Sequence, residues 1–201
     1  MQALFRQFAH PRGPLGFCVG HLMALKNGAR SRFALELLAA GAGERVVEVG
    51  FGPGVDVARL LAAVGPRGLV AGVDVSSEML RQAARRNRRA VEDGRAELRT
   101  GTATALPFAG GSFDAAYATN SAQFWGDLVQ GMRELARVLV PRGRAVVVVQ
   151  PMARGATRAD ALGWSDRLGE AAREAGFTAV ERAERPLRGA PAVAVIARRA
   201  D

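Results

Sequence analysis

The chain has 201 residues and a mass of 21.2 kDa; 49% of its residues are hydrophobic, 23% are charged, and the mean hydropathy is +0.03. At roughly 150 residues per domain these values predict one globular domain and exclude an intrinsically disordered chain. The formal net charge is +9, but Lys26 is the single lysine among 28 basic residues, a bias typical of a GC-rich genome, so we do not expect nucleic acid as a partner.

Residues 1–43 differ in composition from the rest and form the first predicted unit, a helical extension or lid whose helix lies at about 31–40. The opening MQALFRQFAHPRG lacks the pattern of a secretory signal, and the apolar stretch 14–25 is too short for the ~20 residues of a membrane span. We therefore expect a cytoplasmic protein without a membrane span. Cys18 is the single cysteine, and no Cys/His cluster has zinc spacing, so neither an internal disulfide nor a metal site is predicted.

From residue 44 onward, short apolar runs alternate with helical patterns, which predicts an α/β fold built from βαβ units, with a mostly parallel sheet and helices on both of its faces. Seven strands are predicted at 45–50, 68–74, 96–100, 113–119, 144–150, 177–182 and 192–197. Helices are predicted at 55–64, 76–91, 128–139 and 161–175. Residues 44–201 are thus predicted to form one domain.

The loop after the first predicted strand carries the clearest chemical signal. The strand runs into the glycine-rich turn GFGPG, which opens a helix. Glycines permit a tight turn and let a ligand approach the backbone, and a helix N-terminus favours an anionic group. The dinucleotide fingerprint G-x-G-x-x-G would need glycine where Val55 stands, which counts against NAD. Asp74, at the end of the second predicted strand, can accept hydrogen bonds from ribose hydroxyls, so an adenosine-containing ligand is predicted.

Four segments in this order resemble the class I S-adenosylmethionine-dependent methyltransferases, in particular the small bacterial type 11 group. They are EVGFGPG at 48–54, GVDVS at 72–76, ALPFAGGSFDAAYATNS at 105–121 and RELARVLVPRGR at 133–144. The resemblance covers most of the chain and implies a single Rossmann-like domain whose last strand inserts antiparallel. It also implies that a methyl group passes from S-adenosyl-L-methionine to a small-molecule acceptor at O, N or C by direct displacement, releasing S-adenosyl-L-homocysteine.

Carried over residue by residue, the resemblance assigns the cofactor contacts. They fall on Glu48, Gly50, Phe51, Gly52, Gly54, Asp74, Val75, Met79, Thr102, Ala103 and Asn120. Glu48 would lie near the methionine portion and Asp74 would hold the ribose, while Val75 and Met79 would flank the adenine. Thr102 stands where many relatives have an acidic residue that accepts a bond from the adenine amino group, so we expect a cofactor affinity lower by about 1 kcal/mol. Asn120 would face the methionine end and the acceptor.

The resemblance implies an acceptor pocket built from the N-terminal segment at 5–23 and from the segments that follow the fourth and fifth strands, at 120–125 and 150–159. Its candidates are Phe8, Phe17, Met23, Gln123, Phe124 and Trp125. This aromatic lining suits a small organic acceptor, although the same side chains could simply cover the sheet. Displacement at a sulfonium chiefly requires alignment, so no general base is required; His10, His21 and Tyr117 are weak candidates. Asp56 is interpreted as a helix cap or a polar contact to the cofactor.

Two other functions stay open. The arginine-rich helix at 81–95 could serve an RNA or DNA methyltransferase, although its basic residues are predicted to lie on several faces and it lacks aromatic residues for base stacking. The chain could also be a non-catalytic partner subunit that kept the cofactor fold, but the glycine loop and Asp74 favour retained cofactor binding. Both a monomer and a homodimer are compatible with the sequence.

Overall fold

The computed structural model describes residues 28–201, in which seven strands form one sheet. The strands are β1 (Arg45–Val49), β2 (Leu69–Asp74), β3 (Ala96–Thr100), β4 (Phe113–Thr119), β5 (Leu139–Val149), β6 (Phe177–Arg185) and β7 (Ala192–Arg199). The helices are α1 (Gly28–Leu38), α2 (Val55–Val64), α3 (Ser77–Arg86), α4 (Arg88–Glu92), α5 (Leu128–Val138) and α6 (Arg158–Glu174), with a 3-10 turn at Ala122–Phe124.

The strand order is β3-β2-β1-β4-β5-β7-β6, and the pairs from β3 to β5 are parallel. Strand β7 lies between β5 and β6 and is antiparallel to both, as predicted. Because β1 to β4 are parallel, the loops that follow them meet along the same edge of the sheet. This edge is called the carboxyl edge below.

Two apolar cores, one on each face of the sheet, hold the helices in place. On one face, α5 and α6 contribute side chains such as Met132 and Leu168. On the other face, α1 and α2 contribute side chains such as Phe33 and Leu60. Adjacent β1 residues Val46 and Val47 belong to opposite cores, since successive side chains of a strand point to opposite faces. The nearly continuous apolar strands are therefore buried on both faces, as the sequence predicted.

Helix α1 packs against β4, β5 and β7 and buries Phe33, Ala34 and Leu38. Its first residue lies three positions before the start of the predicted helix at 31–40, and its last residue lies two positions before the end of that helix. The division into a lid at 1–43 and a domain at 44–201 stays a prediction, because residues 1–27 lie outside the described part of the chain.

The predicted helix at 76–91 is in fact two helices, α3 and α4, separated at Asn87. The backbone there leaves the helical path, with φ −106° and ψ 24°. The buried Asn87 side-chain amide donates to the carbonyl of Ala83 at 2.9 Å and to that of Gly54 in the glycine loop at 3.0 Å. The Asn87 side chain thus competes with backbone N–H groups for backbone carbonyls. Such a contact does not change the periodicity of the sequence, so periodicity alone could not predict the break.

Strand β5 begins at Leu139, directly after α5, whereas the predicted strand began at residue 144. Leu139 pairs with Phe113 and Arg144 pairs with Ala115, so residues 140–143 bulge out of register with β4. Arg142 adopts a left-handed conformation with φ 62°. The bulge accommodates Pro141, a residue that is found within sheets mainly at edges and bulges.

Helix α5 offers a direct test of packing near the carboxyl edge. A Cβ atom on Gly131 would lie 3.0 Å from Cζ3 of the Trp125 ring and would overlap Cε3. Because Trp125 is only 9% exposed, the ring has little room to move, and we expect Gly131→Ala to lower the free energy of unfolding by about 1–3 kcal/mol.

Gly163 in α6 provides the matched control, because no atom of residues 28–201 lies within 4 Å of a Cβ placed there. Gly163→Ala is therefore expected to raise the free energy of unfolding by about 0.5–1 kcal/mol through helix propensity alone. Urea denaturation of both variants measures the two changes. Equal changes of the same sign would contradict the packing of Trp125 on Gly131.

Candidate active site

Asp74 ties together the two loops that follow β1 and β2. Its Oδ2 atom accepts a hydrogen bond from the backbone N–H of Gly52, and Oδ1 accepts one from the N–H of Ser76, both at 2.9 Å. A further backbone bond joins the N–H of Gly50 to the carbonyl of Val73 at 2.8 Å. A carboxylate can accept up to about four bonds, so Asp74 can hold the loop and receive ribose hydroxyls together.

The three glycines of the loop meet different surroundings. A Cβ on Gly54 would lie 2.7 Å from Cα of Ala83, and one on Gly50 would lie 2.9 Å from Oγ of Ser121, whose hydroxyl donates to the carbonyl of Val49 at 2.6 Å. A Cβ on Gly52 would meet no atom of the described residues within 4 Å. Gly50 and Gly54 therefore allow the loop to pack tightly, whereas the described residues leave the Cβ position of Gly52 unfilled.

Glu48, in β1, is a buried carboxyl group beside this loop. It is 3% exposed, and its Oε2 atom has no hydrogen-bond partner among the described residues. Burial, together with the charges of Asp56 and Asp74, raises the pKa of Glu48 well above its usual range. A buried polar atom without a partner is costly, and a cationic ligand group would offset that cost. The ammonium group of the methionine portion of S-adenosylmethionine fits this requirement.

Asp56, in the first turn of α2, is 8% exposed and receives three side-chain hydrogen bonds. Its Oδ2 atom accepts from Oγ of Ser31 at 2.7 Å and from the hydroxyl of Tyr117 at 2.9 Å, and its Oδ1 atom accepts from Arg59 at 2.7 Å. These donors come from α1, β4 and α2. Asp56 therefore joins three elements below the glycine loop, a role beyond the helix cap or cofactor contact predicted for it.

Tyr117 is fully buried, and its hydroxyl donates to Asp56. Burial and the nearby acids Asp56 and Glu48 raise the pKa of Tyr117 far above its usual range. The phenol thus keeps its proton and positions Asp56. The other two base candidates, His10 and His21, lie outside the described residues. A general base at any of these three positions stays a prediction.

Asn120 and Gln150 connect the ends of β4 and β5. The side-chain amide of Asn120 donates to the carbonyl of Gln150 at 3.1 Å, and its Oδ1 atom accepts from the N–H of Gln150 at 2.7 Å. Asn120 has a left-handed backbone, with φ 50°. The Gln150 side chain accepts a bond from the buried Arg30 of α1 at 2.9 Å. Burial lowers the pKa of Arg30 to about 10, so it remains a cation at neutral pH.

The predicted adenine contacts fall into two groups. Val75 is 47% exposed, and Thr102 is also exposed, with its hydroxyl 3.3 Å from that of Thr104. Both follow strands that pair at their ends, since Asp74 is the partner of Thr100. Other predicted contacts are buried, namely Phe51, Met79 and Ala103. The structure therefore places Val75 and Thr102 at the surface of the carboxyl edge, whereas Met79 belongs to the core.

The described part of the predicted acceptor pocket follows β4. Phe124 is 50% exposed, whereas Trp125 is nearly buried and donates through Nε1 to Oγ of Ser121 at 3.3 Å. The Oε1 atom of Gln123 is buried without a partner in the described residues. After β5, Met152 is 59% exposed. The remaining predicted pocket residues lie outside the described residues, namely Phe8, Phe17 and Met23.

Sequence reasoning missed two parts of this arrangement, Arg30 and Ser31. They lie on an ordinary helical stretch, and their partners are 120 and 25 residues away in sequence, so no local pattern could reveal them. Met152 lies in the segment 150–159, which was predicted to contribute to the acceptor pocket without this residue being singled out. Among residues 28–201, no group of three His, Cys, Asp or Glu residues could hold a metal ion, and no helix is long and apolar enough to cross a membrane.

Comparison with known proteins indicates the family to which the chain belongs. A family model described as a methyltransferase domain matches residues 46–143. The uncharacterized methyltransferase YdaC of Bacillus subtilis is 31% identical over 132 residues, which cover 66% of this chain and 70% of that protein. The demethylmenaquinone methyltransferase of Corynebacterium kroppenstedtii is 38% identical over 105 residues, which cover 52% of this chain and 41% of that protein.

Solved structures share the fold at low sequence identity. A SAM-dependent methyltransferase from Aquifex aeolicus has a TM-score of 0.69 at 19% identity, over 84% of this chain and 88% of that one. The geranyl diphosphate C-methyltransferase of Streptomyces coelicolor, solved with S-adenosyl-L-homocysteine, has a TM-score of 0.69 at 16% identity, over 86% of this chain and 80% of that one.

A mostly parallel sheet with an inserted antiparallel strand, and a glycine loop held by an acid at the end of β2, define a Rossmann-like nucleoside-binding protein. Together with these relatives, they show that the chain belongs to the class I S-adenosylmethionine-dependent methyltransferases. S-adenosylmethionine is accordingly its cofactor.

The buried carboxyl of Glu48 gives the protein a pH-dependent stability. Because its folded-state pKa lies above the unfolded value near 4.5, the folded chain holds this proton more tightly, and stability falls as the pH rises from about 4.5 through the folded pKa. Glu48→Gln removes this contribution. We therefore expect the loss of unfolding free energy between pH 5 and pH 8, measured with urea, to be smaller in the variant than in the wild type.

Glu170→Gln serves as the control, because Glu170 is exposed on α6 and has no ion pair to the described residues. It should keep the wild-type pH dependence. Glu48→Gln should also weaken binding of S-adenosylhomocysteine by roughly 10- to 100-fold through loss of a charge-assisted bond. An unchanged pH dependence in Glu48→Gln would contradict a raised pKa at this residue.

Proposed function

We propose that the protein transfers the methyl group of S-adenosylmethionine to a small apolar organic acceptor, which is bound at the carboxyl edge beside Phe124 and Met152. The observation that supports this proposal is the exposure of both side chains, 50% and 59%, after neighbouring strands. An exposed apolar side chain can contribute favourable contacts when a ligand covers it. Ligand sites in open α/β sheets lie at this edge.

The cofactor supplies a methyl group on a sulfonium, which is electrophilic enough for direct displacement. The residues of this chain bind and orient. Asp74 and the N–H of Gly52 hold the loop against the ribose, and Glu48 receives the ammonium of the methionine portion. Methyl transfer of this kind depends mainly on alignment, which a rigid loop provides. No side chain is required as a nucleophile.

The proposed acceptor class is supported by the connections at the carboxyl edge and by the named relatives. The segments 120–127 after β4 and 150–157 after β5 are short and contain no inserted domain that could bind a macromolecule. Relatives include demethylmenaquinone and ubiquinone/menaquinone C-methyltransferases, and a neighbour in fold acts on geranyl diphosphate. Because this chain spans half or less of those two quinone methyltransferases, the acceptor class is inferred for this chain by analogy.

Asp74→Asn tests the cofactor site. The substitution replaces one carboxylate oxygen by an amide N–H that faces a backbone donor, so we expect S-adenosylhomocysteine to bind roughly 10- to 100-fold more weakly. Calorimetric titration with S-adenosylmethionine, S-adenosylhomocysteine and NAD measures the three affinities, and NAD should not bind. Asp166→Asn, at an exposed ion pair with Arg182, should bind like the wild type. Equal affinities in the two variants would refute the assignment of Asp74.

The acceptor side is tested separately with Phe124→Ala and Met152→Ala. Candidate acceptors, a menaquinol precursor analogue, a catechol and a prenyl diphosphate, are screened by release of S-adenosylhomocysteine. With an acceptor that is methylated, we expect kcat/KM for that acceptor to fall about 10-fold in each variant, while the affinity for S-adenosylhomocysteine stays unchanged. Leu162→Ala removes a comparably exposed apolar side chain from α6 and should leave kcat/KM unchanged. A loss of cofactor affinity instead would place these residues in the cofactor site.

A further inference from the structure

A concave surface distinct from the carboxyl edge lies between α2 and the helix pair α3 and α4. It is a shallow depression, largely open to solvent, with a volume of about 410 Å³, and among the described residues its polar lining consists of Asn87 and five arginines. The arginines are Arg85, Arg86, Arg88, Arg89 and Arg95. We call this surface the arginine cavity.

Helical spacing explains why four of these arginines share one surface. Arg85, Arg86, Arg88 and Arg89 are spaced i, i+1, i+3 and i+4, which places them on one side of a helical path. The change from α3 to α4 does not separate them, and all four line the same space, together with Arg95 just before β3. The prediction that the basic residues lie on several faces therefore understated how much positive charge collects here.

The positive charge of the arginine cavity is poorly compensated. No acidic residue lines it, and Arg85, Arg86 and Arg89 have no carboxylate within 4.0 Å in the described part of the chain. Arg88 and Arg95 have acidic neighbours only at 3.6 and 3.9 Å, and both of those carboxylates are well exposed to solvent. Like charges that line one surface repel each other, so a bound anion would relieve the repulsion.

We propose that the arginine cavity binds a phosphate-type anion, the diphosphate or triphosphate group of a small molecule. Guanidinium groups present several N–H donors in a planar fork that matches phosphate oxygens. The volume of about 410 Å³ can admit a compact polyphosphate, and no aromatic side chain of the described residues lines the cavity on which a nucleic-acid base could stack. A compact polyphosphate therefore fits better than a nucleic-acid strand.

Two side chains connect the arginine cavity to the glycine loop. Arg86 donates through Nε to the carbonyl of Pro53 at 2.9 Å, and Asn87 donates to the carbonyl of Gly54 at 3.0 Å. An anion on the terminal nitrogens of Arg86 leaves its Nε free to keep the bond to Pro53, and it fixes the side chain in that pose. Because coupling between two sites is reciprocal, anion and cofactor should each raise the affinity for the other.

The test uses tripolyphosphate, titrated calorimetrically at constant ionic strength set with NaCl. The test variant is Arg85→Gln/Arg89→Gln, since neither residue has a hydrogen bond to the glycine loop. The control is Arg67→Gln/Arg173→Gln, which removes the same charge at two exposed positions outside the cavity. We expect saturable binding to the wild type and the control, and binding at least about 10-fold weaker to the test variant. Tripolyphosphate should also tighten S-adenosylhomocysteine binding about 5-fold in the wild type and in the control, and not in the test variant.

Three results would overturn the proposal: no saturable binding to the folded wild type, equal binding to the test variant, or an equal loss in both double variants. A single-stranded RNA oligonucleotide is titrated in parallel. If the RNA binds through Arg85 and Arg89 while tripolyphosphate does not, the ligand is a nucleic-acid backbone and the small-molecule proposal is wrong. Thermal unfolding of each variant confirms that a weaker affinity does not reflect an unfolded protein.

Discussion

The carboxylate of Asp56 is the interaction on which the arrangement of the active site depends. A buried charge is costly unless it is paired and hydrogen-bonded, and Asp56 receives donors from Ser31, Arg59 and Tyr117. These donors bring α1, α2 and β4 to one point below the glycine loop. The same negative charge acts on Glu48 and, with burial, favours its protonated form. One side chain therefore sets both the position of three elements and the electrostatics of the cofactor site.

The features that could be predicted from the sequence are those encoded locally. The glycine loop, Asp74 and the apolar runs of the strands are each contained in a short stretch of consecutive residues, so their patterns are visible without a structure. The partners of Asp56 are not encoded this way, since Tyr117 is 61 residues away in sequence. At Asn87 the sequence-based prediction failed for a different reason. The helical pattern continues through this residue, but its side chain donates hydrogen bonds to carbonyls of two different elements. Tertiary contacts overrode the periodicity there.

The family match and the acceptor side occupy different parts of the chain. The matched region, residues 46–143, contains β1 to β4 with the glycine loop and Asp74, and it ends within the bulge of β5. Met152 and the bridge formed by the Gln150 side chain lie beyond it. Shared ancestry therefore accounts for the cofactor half, while the chemistry of the acceptor must be argued from the side chains of this chain, because one scaffold hosts many reactions.

The insertion of β7 between β5 and β6 has a consequence for synthesis of the protein on the ribosome. Strand β5 carries the valine run 146–149, and its free edge is the one that β7 covers in the finished sheet. During translation β5 emerges well before β7. In this interval the strongly apolar strand β5 has an unpaired backbone edge. Such an edge can pair with another nascent chain. The order of strands thus leaves this edge of β5 open to pairing for the interval between the emergence of β5 and that of β7.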